Sequence, residues 1–194
     1  AQYVTGVTVV RQEQNQRFLK NCNSAAEKAR GDFLLLLNND TTVTEGWLAP
    51  LLKTLDAPDV GIVGPKLLFP NGKLQEAGGI IWDDASGWNY GRADDSSRPQ
   101  YNYVRETDYV SGAALMIRRS LWQELGGFDE TFVPAYYEDT DLCFSARAAG
   151  YKVVYQPASA VVHYEGMTNG TDLGGGQKQY QVVNQQRFLE KWQE

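Results

Sequence analysis

The sequence predicts an α/β fold: a mostly parallel sheet flanked by helices. Three observations carry this. Phe18, Leu19, Cys22, Ala25, Ala26 and Ala29 recur at helical spacing and form one apolar stripe. Phe33-Leu34-Leu35-Leu36-Leu37 is wholly apolar between polar flanks, as parallel strands buried on both faces are. A second amphipathic helix and then the short run Val60–Val63 follow, giving strand–helix–strand order.

Taken in order, the chain opens with a strand-like Val7–Val10, and the first helix runs from Gln14 to Arg30. Gly31 suits its C-terminal stop, where a left-handed residue is needed. The strand Phe33–Leu37 is expected to be central, with Asn38-Asn39-Asp40 at its carboxyl end. Thr44 is the expected N-cap of the next helix, whose buried stripe is Trp47, Leu48, Leu51, Leu52 and Leu55. Pro70-Asn71-Gly72 predicts a small hairpin between 67–69 and 73–75. Residues 83–105, rich in Asp, Ser, Gly, Asn and Tyr, read as a long middle loop, a kind of segment that is often functional. Strands at 113–117, 152–155 and 160–163 and helices at 120–125 and 139–149 follow, with Gly150 as a stop. Gly174–Gly176 reads as loop and Tyr180–Trp192 as a closing helix.

The 194 residues, with 42% hydrophobic and 22% charged, fit one domain over 1–194. A net charge of -6 and no basic cluster exclude a nucleic-acid surface. The longest apolar run is far too short to span a bilayer. Ala1–Val10 lacks a basic-then-apolar leader pattern. Cys22 and Cys143 sit among apolar helix positions and are expected as buried reduced thiols, which predicts a cytoplasmic setting. The abrupt start predicts a chain that begins partway into its fold, with a sheet edge open to pairing; a homodimer is among the expectations.

Three segments carry candidate chemistry. Asp40 stands where ligands bind in open α/β sheets, beyond a strand's carboxyl end, and its oxygens suit a hard divalent cation. Asn38-Asn39-Asp40-Thr41 is equally readable as a plain turn. Tyr136-Tyr137-Glu138-Asp139-Thr140-Asp141 crowds carboxylates at a helix start. Favourable placement at the positive helix end explains them, and so does a general base reaching a substrate hydroxyl. His163, the sole histidine, ends a strand; it is either structural or, if near Asp40, a metal ligand.

Set in order along the chain, these segments resemble family 2 glycosyltransferases of the GT-A fold, close to bacterial rhamnosyl- and N-acetylglucosaminyltransferase-like enzymes. Leu36-Leu37-Asn38-Asn39-Asp40-Thr41 resembles that family's Asp-x-Asp metal motif, with Asn38 where many relatives have Asp. Asn15-Gln16-Arg17-Phe18 with Cys22-Asn23, Val63-Gly64-Pro65-Lys66-Leu67 and Gln75-Glu76-Ala77-Gly78-Gly79 are similar to its earlier blocks. Tyr109-Val110-Ser111-Gly112-Ala113 and Gly126-Gly127-Phe128-Asp129-Glu130 are similar to its acceptor-side segments. Tyr137-Glu138-Asp139-Thr140-Asp141-Leu142 resembles its Glu-Asp motif, and Val161-Val162-His163-Tyr164-Glu165-Gly166 its later histidine segment. The family's opening strand and acidic uridine-contacting segment are not seen, so the resemblance implies an N-terminally incomplete GT-A-like, Rossmann-related fold.

The resemblance implies metal-dependent, inverting transfer of a sugar from a nucleoside-diphosphate-sugar to an acceptor hydroxyl. Asp40 and His163 would hold the divalent cation, Mn or Mg, with Asn38 assisting, and Asn38 and Asn39 would contact the substrate. Asp139 would be the general base and Glu138 its neighbour in orienting the acceptor. Gly112 and Ala113 would let the sugar come close to the backbone. Trp82, Trp88 and Tyr90 would either stack on acceptor rings or pack the loop. The implied acceptor is a saccharide or a lipid-linked saccharide, the latter bringing peripheral membrane association. Two other readings stay open: a non-catalytic carbohydrate-binding or assembly module that keeps the fold, and a nucleotidyltransferase, for which the only glycine cluster lies too late in the chain.

Overall fold

Sheet and helices alternate along the chain as the hydrophobic periodicity predicts. The elements are α1 (Arg17–Ala26), β1 (Phe33–Leu37), β2 (Thr41–Val43), α2 (Leu48–Thr54), β3 (Val60–Leu68), β4 (Leu74–Glu76), β5 (Gly79–Ile81) and β6 (Gly87–Asn89). They continue with β7 (Arg105–Glu106), β8 (Ala114–Arg118), α3 (Arg119–Leu125), α4 (Glu138–Ala148), β9 (Lys152–His163) and α5 (Gln179–Trp192). The computed structural model describes residues 6–165 and 179–193; the glycine-rich stretch Gly174–Gly176 lies outside them.

The main sheet runs in the order β1-β8-β3-β9-β2, with β4 added to β3 and β7 to β9. Alternation along the strands sends neighbouring side chains to opposite faces. Leu34, Leu36, Ile62, Leu115 and Ile117 join α1, α3, α4 and α5 residues such as Leu19, Leu121, Leu142 and Phe188 in one core. Val63, Met116 and Val154 point the other way, onto Leu51 and Leu55 of α2. The sheet is therefore covered on both faces, as an α/β fold requires.

Strand direction departs from the expectation of a mostly parallel sheet. Among the described residues only β3 and β9 pair in parallel, whereas β1–β8, β3–β8, β3–β4, β2–β9 and β7–β9 are antiparallel. The strands β1, β3 and β9 do share a direction, but β8 returns from the long middle segment and inserts between β1 and β3. Apolar runs reveal burial and not direction. Among the described residues β1 pairs only with β8, so the strand expected to be central stands at an end of the sheet.

Other boundaries moved for identifiable reasons. Val7–Val10 forms no strand and is exposed, because a β-branched run makes no ladder without a neighbouring strand. Helix α1 is shorter than 14–30. Thr44 is not the N-cap of α2; its hydroxyl donates to Ala160 O at 2.8 Å and ties the loop to β9. The runs 152–155 and 160–163 are one strand, in which the ladder shifts between Pro65↔Gln156 and Lys66↔Ala160. Pro157 and its neighbours form the bulge, which keeps the missing proline N–H out of the ladder. The hairpin at Pro70-Asn71-Gly72 is present, with Gly72 at φ 80°. The middle loop contains β6, which pairs with β5 just before it in a second hairpin that the loop's polar composition concealed.

Candidate active site

The β1–β2 turn puts Asp40 beside the end of β9. Thr41 pairs with His163 in the ladder, and Tyr164 N–H donates to Asp40 O at 2.9 Å. The Asp40 carboxylate oxygen Oδ1 then lies 3.4 Å from His163 Nε2, with both side chains 13% exposed. The turn itself is held by Asn38 N–H donating to Ala113 O at 2.9 Å and by the Thr41 hydroxyl donating to Asn38 O at 2.7 Å. Asn38 is half-buried and Asn39 exposed. Turn and candidate ligand are thus the same structure, not alternatives.

Asp139 sits in the first turn of α4. Its Oδ2 accepts from Gly112 N–H at 2.7 Å and its Oδ1 from Thr140 N–H at 2.8 Å. Reaching across to Gly112 is more than a helix-end placement needs. A Cβ on Gly112 would stand 3.3 Å from both the Asp139 Cβ and the Phe18 ring, so this glycine admits Asp139 and Phe18 closely. The Ala113 methyl packs inward with Leu67, Ala114, Val161 and Trp47. Asp141 faces elsewhere: it is buried against Lys191 Nζ at 2.8 Å and Trp192 Nε1 at 2.9 Å, and fastens α4 to α5.

Two adjacent residues of β4 bridge these halves. Gln75 Oε1 lies 2.9 Å from His163 Nδ1, and Glu76 Oε1 accepts from Ser111 N–H at 3.1 Å, next to the Gly112 that binds Asp139. Asp40, His163 and Asp139, 123 residues apart at the extremes (163 − 40), are joined by one run of contacts. Among the described residues no three His, Cys, Asp or Glu side chains gather as a metal cage; the Asp40–His163 pair supplies one carboxylate and one imidazole.

Comparison with known proteins decides the family. Residues 1–179 match the family model described as glycosyltransferase like family 2. The chain belongs to that family. An O-antigen biosynthesis protein, RfbC, of Myxococcus xanthus is 35% identical over 156 residues, which are 77% of this chain and 12% of that protein. An N-acetylglucosaminyl-diphospho-decaprenol L-rhamnosyltransferase of Mycobacterium tuberculosis is 27% identical over 167 residues, 76% of this chain and 52% of that protein. The glycosyltransferase domain thus spans a small part of one relative and about half of the other. The fold is that of GT-A enzymes. A crystal structure of GalNAc-T7 with UDP, GalNAc and Mn2+ superposes with a TM-score of 0.65 at 19% identity, over 80% of this chain and 32% of that one. A mannosyltransferase from Pyrobaculum calidifontis in complex with GDP-Man and Mn2+ gives 0.55 at 18% identity, over 80% and 39%.

Burial sets the electrostatics of this glycosyltransferase domain. It pushes Glu138 up to about 8, and the neighbouring Asp139 charge adds to the effect. Burial also raises Asp139, but its two backbone N–H bonds pull it back by favouring the carboxylate. Glu76, which the sequence marked only as part of a block, is 1% exposed and is likewise pushed up to about 8 by burial. Glu76 Oε2 and Glu138 Oε2 have no hydrogen-bond partner among the described residues. Burial lowers His163, against the raising effect of Asp40.

Sequence reasoning also missed Asn184 of α5. Its buried amide donates to the carbonyls of Phe132, Ala135 and Tyr136 at 2.7, 2.8 and 3.0 Å. Tyr136 and Tyr137 hold left-handed φ of 75° and 72°, an uncommon conformation for side-chain-bearing residues, directly before Glu138. Helical periodicity placed Asn184 on α5 but gave no sign of its partners. Of the three middle aromatics, Tyr90 packs against Tyr101 at 5.2 Å and under Arg105 at 4.1 Å. Trp82 and Trp88 instead remain 50% and 63% exposed on the β5–β6 hairpin, edge to face at 5.8 Å. Cys143 is buried and Cys22 half-buried, both as free thiols; burial pushes Cys22 up to about 12. No helix among the described residues is long and apolar enough to cross a membrane.

Proposed function

We propose that this domain transfers a sugar from a nucleoside-diphosphate-sugar to an acceptor hydroxyl with inversion, using Asp139 as base and a divalent cation held by Asp40 and His163. The observation that carries the reading is the half-buried Asp139, fixed by Gly112 N–H and joined through Glu76 and Gln75 to His163. The acceptor oxygen attacks the anomeric carbon as Asp139 takes its proton, and the bond from that carbon to the diphosphate breaks on the opposite face. Glu138, pushed towards its protonated form beside Asp139, adds no second negative charge. One carboxylate oxygen and one neutral imidazole suit Mn or Mg, with diphosphate and water completing the set. Such a cation supplies neutralisation of the charge on the departing diphosphate.

Asn38 and Asn39 border the donor in this reading, and their neutral side chains leave Asp40 as the sole anion of the turn. Gly112 acts through Asp139, and Ala113 shapes the floor from within. The exposed Trp82–Trp88 pair offers apolar ring faces to an acceptor saccharide. The name of the mycobacterial relative supports a lipid-linked saccharide as acceptor class. The test is donor turnover by the chain within its full-length parent, with and without saccharide acceptor and with manganese or chelator. Acceptor-dependent nucleotide release that chelator removes supports the reading. Acceptor binding with no donor turnover supports a carbohydrate-binding module instead.

A further inference from the structure

Behind His163 lies a polar relay that the proposed reaction does not itself require. Arg92 Nη2 pairs with Glu165 Oε2 at 2.6 Å, and the same oxygen accepts from Gln75 Nε2 at 3.3 Å. Gln75 is 2% exposed, and its other amide atom, Oε1, meets His163 Nδ1 at 2.9 Å. The chemistry of each member dictates the next. An ionised carboxylate only accepts, so Glu165 must face the Gln75 NH2 group. The Gln75 carbonyl is thereby turned to His163, and Nδ1 must be the nitrogen that carries hydrogen. A flipped amide would set oxygen against carboxylate in a buried place, leaving polar groups unsatisfied. A neutral imidazole has one N–H, so Nε2 keeps its lone pair. That lone pair faces Asp40 Oδ1 at 3.4 Å, acceptor against acceptor.

We propose that Gln75, oriented by Glu165 and Arg92, fixes the tautomer of His163 so that Nε2 faces Asp40 without a proton, and that it thereby sets how tightly the pair takes a divalent cation. Without the Gln75 carbonyl, the other tautomer gains the advantage. Nε2–H then donates to Asp40 and occupies the lone pair a metal needs. Gln75 is in this sense a positioning residue, and its importance for affinity rests on the metal reading above. Partners of metal-bound histidines typically contribute about 10- to 100-fold in affinity.

His163 is the chain's only histidine, so ring-15N-histidine labelling of the tag-free chain gives the spectrum of one imidazole. The metal-free chain is measured at pH about 8.5, above the ordinary imidazole value of about 6.5. The expected wild-type pattern is protonated Nδ1 and bare Nε2. Manganese alone is then titrated, and selective broadening of the same ring signals reads occupancy. Gln75→Leu, close in volume, is expected to move the proton to Nε2 and weaken manganese by at least about 10-fold. Glu165→Ala, at a more exposed position, is expected to give mixed tautomers and a smaller loss. The exchange Gln75→Glu with Glu165→Gln keeps an acceptor on Nδ1 and a donor behind it, and is expected to restore the wild-type tautomer. An Nε2–H ring in the wild-type chain overturns the relay whatever manganese does. An unchanged tautomer in both single variants also overturns it. An Nδ1–H ring that shifts in Gln75→Leu, in a chain that takes up no manganese, upholds the tautomer assignment and overturns the metal reading.

Discussion

Two acidic regions of this domain use the same side chains to opposite ends. At the β2–β9 end, Asp40 meets an imidazole across 3.4 Å, with the Glu165–Arg92 pair behind that imidazole. Around α4 and β4, burial drives Glu76, Glu138 and Asp139 toward the protonated form, and the Asp139 charge adds to the rise at Glu76 and Glu138. The difference lies in enclosure and in backbone N–H groups. In the proposed reading the first region takes the cation, whereas in the second two backbone N–H groups oppose the rise that burial causes at Asp139. A carboxylate count alone would have called them alike.

The comparison breaks most visibly at Asp139. Asp139→Asn keeps the hydrogen bond from Gly112 but cannot take a proton, and turnover of the full-length enzyme is expected to fall by about 10²- to 10⁴-fold while manganese binding persists. Near-normal turnover would remove Asp139 from its role. The complementary change, Asp40→Ala, is expected to abolish manganese-dependent donor binding while leaving the pH dependence of the α4 cluster intact; unchanged calorimetric titration would contradict it.

Smaller effects sharpen the contrast. Asn184→Ala leaves carbonyls of Phe132, Ala135 and Tyr136 without their donor, at about 1–3 kcal/mol for an unsatisfied buried group. A lowered melting temperature together with slower turnover is expected, because these carbonyls hold the loop before Glu138. Glu76→Gln acts through pH. Glu76 is neutral when folded up to about 8 but ionises near 4.5 when unfolded, so the folded chain holds the extra proton. That contribution is complete below 4.5 and is lost as pH rises towards 8. In thermal melts across this range, Glu76→Gln is expected to flatten the decline; an unaltered slope would show that Glu76 is ionised in the folded chain.

Much of this was readable beforehand because local rules governed it. The apolar run 33–37, the acids opening α4 and the histidine closing β9 are each set by neighbours in sequence. What escaped was set by partners far away. Gln75 meets His163 across 88 residues, and Asn184 meets Tyr136 across 48. Neither periodicity nor composition encodes such meetings. Strand direction escaped for a related reason, since β8 can enter the sheet either way with the same apolar pattern. The β5–β6 hairpin was hidden by Gly, Asp and Ser, whose turn-forming habit outweighed its three-residue strands. The gap expected between 155 and 160 is a bulge at Pro157 and not a break.

The Tyr137 hydroxyl donates to Ala85 O at 2.7 Å, in the turn between Trp82 and Trp88, and Gln185 Nε2 grips neighbouring Asp84 O at 2.9 Å. Tyr137 is also the residue immediately before Glu138 and Asp139. The indole-bearing finger and α4 are thereby clamped to a common frame. In the proposed reading, a saccharide seated on the two indoles would be presented at a set span from Asp139, which would make the finger a gauge of chain length as well as a perch.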